Sequence, residues 1–446
     1  MTSSNNLLPR FLRLAVANSF SNLMVPLASL VDAAFLGHLA DIDYLAGVAL
    51  SSVLFSLVYG TVKFLRLGTT GLTAQAQGRS DQDEVLLTLL RNGLIGLVIG
   101  LIILLLQQPL REIGFTLLSA TPSVLESGID YYNARIWGVP AVLINFVLIG
   151  WFMGREQGTK VLVLSAVANG GNVILDYLFI VIWKYESAGA GLATAASQYL
   201  MLLVGLIFII FEGWLLQIPG VVGRIFDTNA LKVIFKLNAD LFLARLTFIL
   251  TCSLFTAISA SLGTLVLAAN TLLLQVLYLA ADFVDGLSFA TESLAGSFRG
   301  AAANEELAPL LKMTVGINLG LWLIAALMFI LFPDPVFGVL TNHGEVIQEI
   351  HRYFLWLLPV LGCWCLTISL NGYFLGLTEG TLVRNSIVSG TLIGFLPAAL
   401  VAWQFDNAQI LWLALLLFLV VRTIILGIRV PSSFEEKEVE FIGANY

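Results

Sequence analysis

Long apolar runs, separated by short polar or glycine- and proline-rich breaks, recur along the whole chain. A helix needs about 20 apolar residues to cross the hydrocarbon core of a bilayer, and these runs have that length. They lie at residues 11–37, 44–68, 86–107, 128–153, 159–183, 188–214, 230–260, 264–298, 309–332, 350–377, 383–404 and 408–430. The pattern predicts an all-α polytopic membrane protein with twelve transmembrane helices.

Composition agrees with this prediction, because 58% of the 446 residues are hydrophobic and only 11% are charged. Soluble domains carry about 25% charged residues, so a soluble enzyme is excluded. The three cysteines all lie in apolar runs and suggest neither a disulfide framework nor a metal site. No nucleotide-binding or metalloprotease motif occurs. We therefore expect no enzyme activity, no catalytic residues, no metal, no cofactor and no nucleic-acid partner.

The basic residues are concentrated at one set of helix ends. That set holds Arg10, Arg13, Arg79, Arg91, Arg155, Lys160, Arg224, Lys232, Lys236, Arg299, Lys312, Arg384, Arg429 and Lys437. The opposite set holds Arg111, Lys184 and Arg352, with Arg135 close by. Cytoplasmic loops carry the excess of lysine and arginine, so both termini are expected to face the cytoplasm. The expected location is the inner (cytoplasmic) membrane, as a multi-pass monomer.

The two halves of the sequence resemble each other at a constant offset of 222 residues. The aligned positions include Leu45–Leu50 with Leu267–Leu272, Thr69 with Thr291, Gly78 with Gly300, Gly154 with Gly376, and Gly158 with Gly380. Six helices per half give both halves the same orientation, which predicts a parallel repeat about an axis along the membrane normal. The predicted architecture is two pseudo-symmetric six-helix lobes.

The repeat sets the expected domain limits. Residues 1–214 would form the N-lobe, 215–229 a cytoplasmic linker, 230–430 the C-lobe and 431–446 a cytoplasmic tail. Transporters built from such repeats usually place the substrate path between their two halves.

Ionisable residues inside membrane helices are costly and are functional candidates by default. Asp32 lies six residues before the outer end of the first span, about 9 Å deep at 1.5 Å per residue. Asp176 on the fifth span and Thr194 on the sixth are each about 12 Å deep by the same rise. Asn172 precedes Asp176 by four residues and shares its helix face. These four residues are predicted to form one polar group in the outer half of the N-lobe.

Two carboxyl groups in an apolar surround disfavour double ionisation, so such a pair can hold a proton or a small cation. The alternative is a hydrogen-bonded polar plug that fixes helix packing. At the repeat offset Asp32, Asn172 and Asp176 correspond to Leu254, Gly394 and Ala398. The fold itself therefore does not require the group. Asp240 and Arg422, near predicted cytoplasmic ends, are expected to snorkel or to meet loops.

Pro26 lies within the first span, six residues before Asp32. Proline removes a backbone hydrogen bond from a helix and favours a kink. The kink is either static or a conformational hinge.

Four further charges suggest contacts between the lobes. Lys63 and Arg66 lie in the inner third of the second span, and Asp285 and Glu292 at similar depth in the eighth. The repeat offset pairs Lys63 with Asp285, so the hypothesis is that opposite charges close the cytoplasmic side. The alternative is neutralisation within one helix, or snorkelling.

A charge swap tests the Lys63–Asp285 hypothesis. We expect Lys63→Asp and Asp285→Lys each to impair transport, because each places like charges together, and the double variant to restore it. Transport into everted vesicles measures the rescue. If the double variant is as poor as the single ones, the two residues act independently.

Several segments resemble the multidrug and toxic compound extrusion (MATE) family, in particular its DinF-like branch. The resembling segments are Val25–Asp32, Gly37–Leu39, Tyr44–Val48, Phe64–Ala76, Gly171–Asp176, Gly189–Thr194, Asp285–Glu292 and Arg384–Ser386. The likeness covers nearly the whole chain. It implies twelve helices in two lobes around a central cavity, with an N-lobe cation site at Asp32, Asn172, Asp176 and Thr194.

The resemblance further implies a secondary active antiporter. It would export cationic or amphipathic organic compounds in exchange for inward protons or sodium, the DinF-like branch favouring protons. The alternative is a lipid-linked precursor flippase of the same superfamily, which typically has a strongly basic central cavity. Here Lys63, Arg66 and Arg245 are the candidates for such a cavity.

Overall fold

The computed structural model describes residues 7–39, 41–118, 120–332 and 343–435. This part of the chain holds twelve helices that are long and apolar enough to cross a membrane. They are α1 (Leu7–Gly37), α2 (Asp43–Gly78), α3 (Gln82–Leu105), α4 (Pro122–Gly154), α5 (Gly158–Ile182), α6 (Glu186–Phe211), α7 (Thr228–Ser261), α8 (Thr264–Gly300), α9 (Asn304–Leu331), α10 (Gly344–Gly376), α11 (Gly380–Gln404) and α12 (Ala408–Ser433). All twelve predicted spans are confirmed.

Some helices run further than the apolar runs that predicted them. The C-terminal end of α2 continues to Gly78 through a polar segment of threonines and glutamines, beyond the predicted end of this span at residue 68. Thr69 and Thr70 are fully buried there, and their hydroxyls donate to the carbonyls of Leu65 and Arg66, one turn earlier in the same helix. Because the helix satisfies these hydroxyls itself, polarity does not end it.

Several helices contain irregular turns that the hydropathy pattern does not reveal, among them 3-10 turns at Ile136–Gly138 in α4 and Phe354–Trp356 in α10. A turn at Lys63 interrupts α2. Wider π-helical turns occupy Tyr177–Ile182 in α5 and Gly390–Phe395 in α11. Such turns in membrane-type helices often mark functional positions, because they displace side chains from regular spacing. The first of them begins directly after Asp176.

Glycine contacts confirm the internal repeat in three dimensions. On α4 and on α10, two glycines one turn apart lie so close to a neighbouring helix that an added Cβ would come within 3.0 Å of a backbone carbonyl oxygen. The contacts are Gly150 on Arg66, Gly154 on Thr70, Gly372 on Ser288 and Gly376 on Glu292. In each contact of the C-terminal half, both residue numbers equal those of the corresponding N-terminal contact plus 222. The two α-helical pairs therefore pack in the same way.

The chain forms two compact units. The N-terminal unit comprises Phe20–Ile234, and the C-terminal unit comprises Phe235–Tyr446 together with Met1–Ser19. The beginning of α1 belongs to the C-terminal unit because it packs on α8, where Ser19 donates a hydrogen bond to the carbonyl of Phe283 at 3.2 Å. The lobe limits derived from the repeat, with the N-lobe ending at residue 214 and the C-lobe beginning at residue 230, stay a prediction.

Candidate functional site

The outer part of α1 lies along α5 in the N-terminal unit. Three contacts follow one another towards the C-terminal ends of both helices: Ser21 with Ser165, Asp32 with Asp176, and Phe35 with Tyr177. The first two contacts are eleven residues apart on both helices, which is three helical turns. Parallel packing in register therefore places the two carboxyl groups side by side.

The carboxyl pair is poor in hydrogen-bond partners. Asp176 is fully buried, and Asp32 is half-buried. Within the described part of the chain, both carboxyl oxygens of Asp176 and Oδ1 of Asp32 are buried and accept no hydrogen bond from any residue outside the pair. Buried carboxylates normally accept several hydrogen bonds or pair with a cation. The site therefore has unused oxygen ligands for a proton or a cation.

Asn172 and Thr194 lie on the helices that border this pair. Asn172 is one turn before Asp176 and 6% exposed, and its Nδ2 is buried without an acceptor among the described residues. Thr194 on α6 donates its hydroxyl proton to the carbonyl of Ala190 at 2.9 Å. The lone pairs of that hydroxyl remain available as ligands. No hydrogen bond in the described ranges joins Thr194 to either carboxyl group.

Arg135 on α4 supplies a positive charge near the pair. Its guanidinium donates to the hydroxyl of Tyr131 at 2.6 Å and lies 4.5 Å from the ring centroid of Phe55 and 5.6 Å from that of Tyr59. The same guanidinium is close enough to Asp32 to interact with it electrostatically. One cation can balance one carboxylate, which leaves the other carboxyl for a proton or a bound ion.

Close helix packing holds Arg135 in place. A Cβ added to Gly191 on α6 would come 2.6 Å from the carbonyl oxygen of Tyr131 and 3.1 Å from the backbone nitrogen of Arg135. A glycine at this position therefore lets α6 approach α4 at the level of the arginine. Sequence reasoning did not include Arg135 in the site. The signal was present, because Arg135 lies seven residues into the predicted fourth span, about 10 Å deep.

The remaining predicted residues lie elsewhere. Pro26 is within α1, but its side chain falls outside the part that the structure describes. Lys63 lies at the turn in α2, and Arg66 is buried one turn beyond it in the N-terminal unit. Asp285 is half-buried and Glu292 1% exposed, both on α8 in the C-terminal unit. The Lys63–Asp285 pairing stays a prediction.

The expectation that Arg422 snorkels or meets a loop is wrong, because the side chain is buried. Asp240 contacts the beginning of α11 rather than a loop. Asp240 is 4% exposed and forms an ion pair with Arg384, while the hydroxyl of Thr381 donates to its other oxygen at 2.6 Å. Arg422 is 5% exposed, in the interior of α12. Its Nη2 contacts Oδ1 of Asn371 at 3.3 Å within the C-terminal unit. A side chain that is buried to this degree between helices cannot extend its charged group to the membrane surface.

Comparison with known proteins decides the family. The MatE family matches twice, over residues 18–178 and 241–400, once in each half of the repeat. The DNA damage-inducible protein F of Escherichia coli (strain K12) is 32% identical over 414 residues, covering 92% of this chain and 89% of that protein. The chain belongs to the MATE family.

Two further relatives show how far this MATE likeness extends. A probable multidrug resistance protein NorM of Photorhabdus laumondii is 25% identical, covering 90% of each chain. A Vibrio cholerae MATE transporter, VcmN in its bent form, superposes with a TM-score of 0.85 at 19% identity, covering 97% of this chain and 98% of that one. The latter likeness shows the fold. Twelve spans and bacterial relatives of this kind support a multi-pass inner-membrane protein.

Proposed function

We propose that this MATE protein is a secondary active efflux antiporter that exports amphipathic, commonly cationic, organic compounds in exchange for inward protons or sodium. The observation that carries the proposal is the pair Asp32 and Asp176, side by side with buried oxygens that accept no hydrogen bond from any other described residue. The relatives and the family do not favour the flippase alternative.

The coupling site consists of the carboxyl pair with Asn172 and Thr194. Arg135 balances one negative charge, so the second carboxyl group is stable only when it holds a proton or a cation. Loading of the pair therefore depends on the ion concentration at the outer side, and unloading on that at the inner side. A coupling ion bound here changes the net charge of the site by one.

A charge change can drive transport only if two conformations hold the ion with different affinity. Asp32 lies on the same helix as Pro26, so neutralisation that alters the α1–α5 contact can change the bend of α1 at the proline. In the same step a cationic substrate loses its electrostatic attraction to the site. Ion and substrate then exclude each other, which gives exchange rather than co-transport.

Proteoliposomes with separately imposed gradients test this function. Ethidium, a lipophilic cation, serves as the transported probe. An inward proton or sodium gradient should drive its efflux, and collapse of that one gradient should stop it. Ethidium movement that responds to neither gradient, but to ATP, would overturn secondary active antiport.

The proposed orientation places both termini in the cytoplasm. We expect cysteines introduced at Ser3 and Ser433 to resist a membrane-impermeant maleimide in intact cells and to react after permeabilisation. A cysteine at Asp130, at the outer end of α4 and exposed, should react in intact cells and serves as the control. Labelling of the terminal cysteines from outside would reverse the topology.

A further inference from the structure

Arg422 lies buried in the C-terminal unit, and no described carboxylate forms an ion pair with it. It is 5% exposed. Its Nε is buried and has no acceptor there. A charged side chain in the middle of a membrane helix is costly unless something pairs with it. The arginine therefore has a donor, and a charge, to offer to a group outside this chain.

The packing around Arg422 provides space for it. A Cβ added to Gly390 would come 2.7 Å from Cγ of Arg422 and 2.9 Å from the carbonyl oxygen of Phe418. Gly390 begins the π-helical turn of α11, which packs on α12 at this point. Any larger residue at 390 would displace the arginine stem. The irregular turn and its glycine thus accommodate a side chain that makes no ion pair within the described residues.

A second unsatisfied donor lies in the same cluster. Nε1 of Trp364 is buried without an acceptor in the part of the chain that the structure describes. The Trp364 ring is 5.8 Å from that of Phe248, which is 6.3 Å from Phe418. The guanidinium of Arg422 lies 5.3 Å from the Phe418 ring, and that of Arg245 lies 5.4 Å from the Phe248 ring. Two phenylalanine rings therefore connect two arginines and the tryptophan.

The side of the cluster at Cys252 and Tyr278 keeps accessible surface. The thiol of Cys252 lies beside the hydroxyl of Tyr278, and both Arg245 and Arg422 are close enough to act on the thiol electrostatically. Tyr278 is 37% exposed and Cys252 half-buried. Donor groups lie around this cluster: the guanidinium groups of Arg422 and Arg245, the indole N–H of Trp364 and the hydroxyl of Tyr278.

We propose that this cluster is an anion subsite, in which Arg422 and Trp364 bind the carboxylate, sulfonate or phosphate group of an amphipathic compound while Phe248 and Phe418 contact its apolar part. The proposal rests on the efflux function proposed above and adds to its cationic substrates a second class, amphiphiles that carry an acidic group, zwitterions included. Charge-assisted hydrogen bonds from arginine to such groups are among the strongest that a protein side chain makes.

Three pyrene probes with one apolar body test the subsite: pyrenebutyrate, pyrenebutanol and pyrenebutyl-trimethylammonium. Binding to the full-length protein in phosphatidylcholine nanodiscs is followed by pyrene fluorescence anisotropy, without any gradient. The wild-type protein should bind the carboxylate at least about tenfold more tightly than the alcohol, the effect of one or two charge-assisted hydrogen bonds. Equal affinity for the carboxylate and the alcohol would overturn the proposal.

Substitutions then assign the effect to Arg422. Arg422→Met keeps an unbranched stem and should lower pyrenebutyrate affinity about 10- to 100-fold, leaving the alcohol and the cation unchanged. Arg429→Gln, on the same helix and exposed, should leave all three affinities unchanged. Trp364→Phe keeps an aromatic ring but removes the N–H, and it should weaken pyrenebutyrate binding roughly three- to tenfold. This variant tests the subsite if Arg422→Met does not fold. Wild-type affinity in both variants would contradict the assignment.

Two comparisons distinguish a lipid headgroup from a free organic anion as the ligand, and the subsite proposal from the antiport proposal. Phosphatidylglycerol added to the nanodiscs should compete with pyrenebutyrate only if a lipid headgroup occupies the subsite, and should have no effect if free organic anions do. Pyrenebutyrate binding is measured without a gradient, whereas the antiport proposal is tested by gradient-driven efflux, so the two claims are measured separately. If the protein shows no preference for the anionic probe, the subsite proposal fails and the antiport proposal is unaffected. If gradient-driven efflux is absent, the antiport proposal fails and the binding result still supports the subsite.

Discussion

Asp32→Asn and Asp176→Asn should each reduce gradient-driven efflux to the level of protein-free liposomes, while the folded protein still binds substrate. The asparagine side chain has nearly the same shape as the aspartate but cannot exchange a proton and binds cations weakly. In Asp176→Asn, Arg135 still balances the charge of Asp32, and in Asp32→Asn the buried Asp176 loses the carboxyl group beside it. In both variants the pair that would load an ion is gone. Ethidium efflux under a pH or sodium gradient measures the loss.

Matched variants separate coupling from folding. Asp130→Asn removes an exposed carboxyl group from the outer part of α4 and should keep wild-type efflux. Asn172→Ala removes a hydrogen-bonding group but no charge, so it should weaken coupling less than either aspartate variant. Wild-type efflux rates in both aspartate variants would show that the coupling site lies elsewhere.

Alanine at Gly150 or Gly372 should strongly destabilise the protein. Each glycine lies against a backbone carbonyl of the neighbouring helix, so an added methyl group must push two helices apart. Overpacking of this kind costs about 1–3 kcal/mol. The thermal unfolding midpoint of the purified protein in detergent should therefore fall.

Two other glycines provide the controls for this prediction. Gly93 on α3 and Gly316 on α9 have no atom within 4 Å of an added Cβ. Alanine there should leave stability unchanged or raise it by up to about 1 kcal/mol, since alanine is the better helix former. If Gly150→Ala and Gly93→Ala unfolded at the same temperature, the close approach of α2 and α4 would be refuted.

The sequence predicted those features that depend on length and spacing along one helix. Hydropathy located all twelve spans, and a rise of 1.5 Å per residue placed Asp32 and Asp176 at similar depth. The constant offset also predicted equivalent packing in the two halves, as the contacts of Gly150 and Gly372 confirm. Each of these features follows from local chemistry.

Features that depend on which helix faces which could not be predicted in this way. Depth alone does not show that α1 and α5 are neighbours, nor that Arg135 lies close enough to Asp32 to act on its charge. The position of Arg422 was misjudged because counting residues to a helix end says nothing about packing around the side chain. The π-helical turns depend on the balance of tertiary contacts, and no residue pattern marks them.

The most direct test of the coupling claim is to count the ions displaced when substrate binds to the purified protein without a gradient. In weakly buffered detergent solution, or with radioactive sodium, the wild-type protein should release about one proton or sodium ion per ethidium bound, because competing ligands are linked reciprocally. The double variant Asp32→Asn, Asp176→Asn should bind ethidium and release none. Equal ion release from both proteins would contradict the assignment of the coupling site to this carboxyl pair.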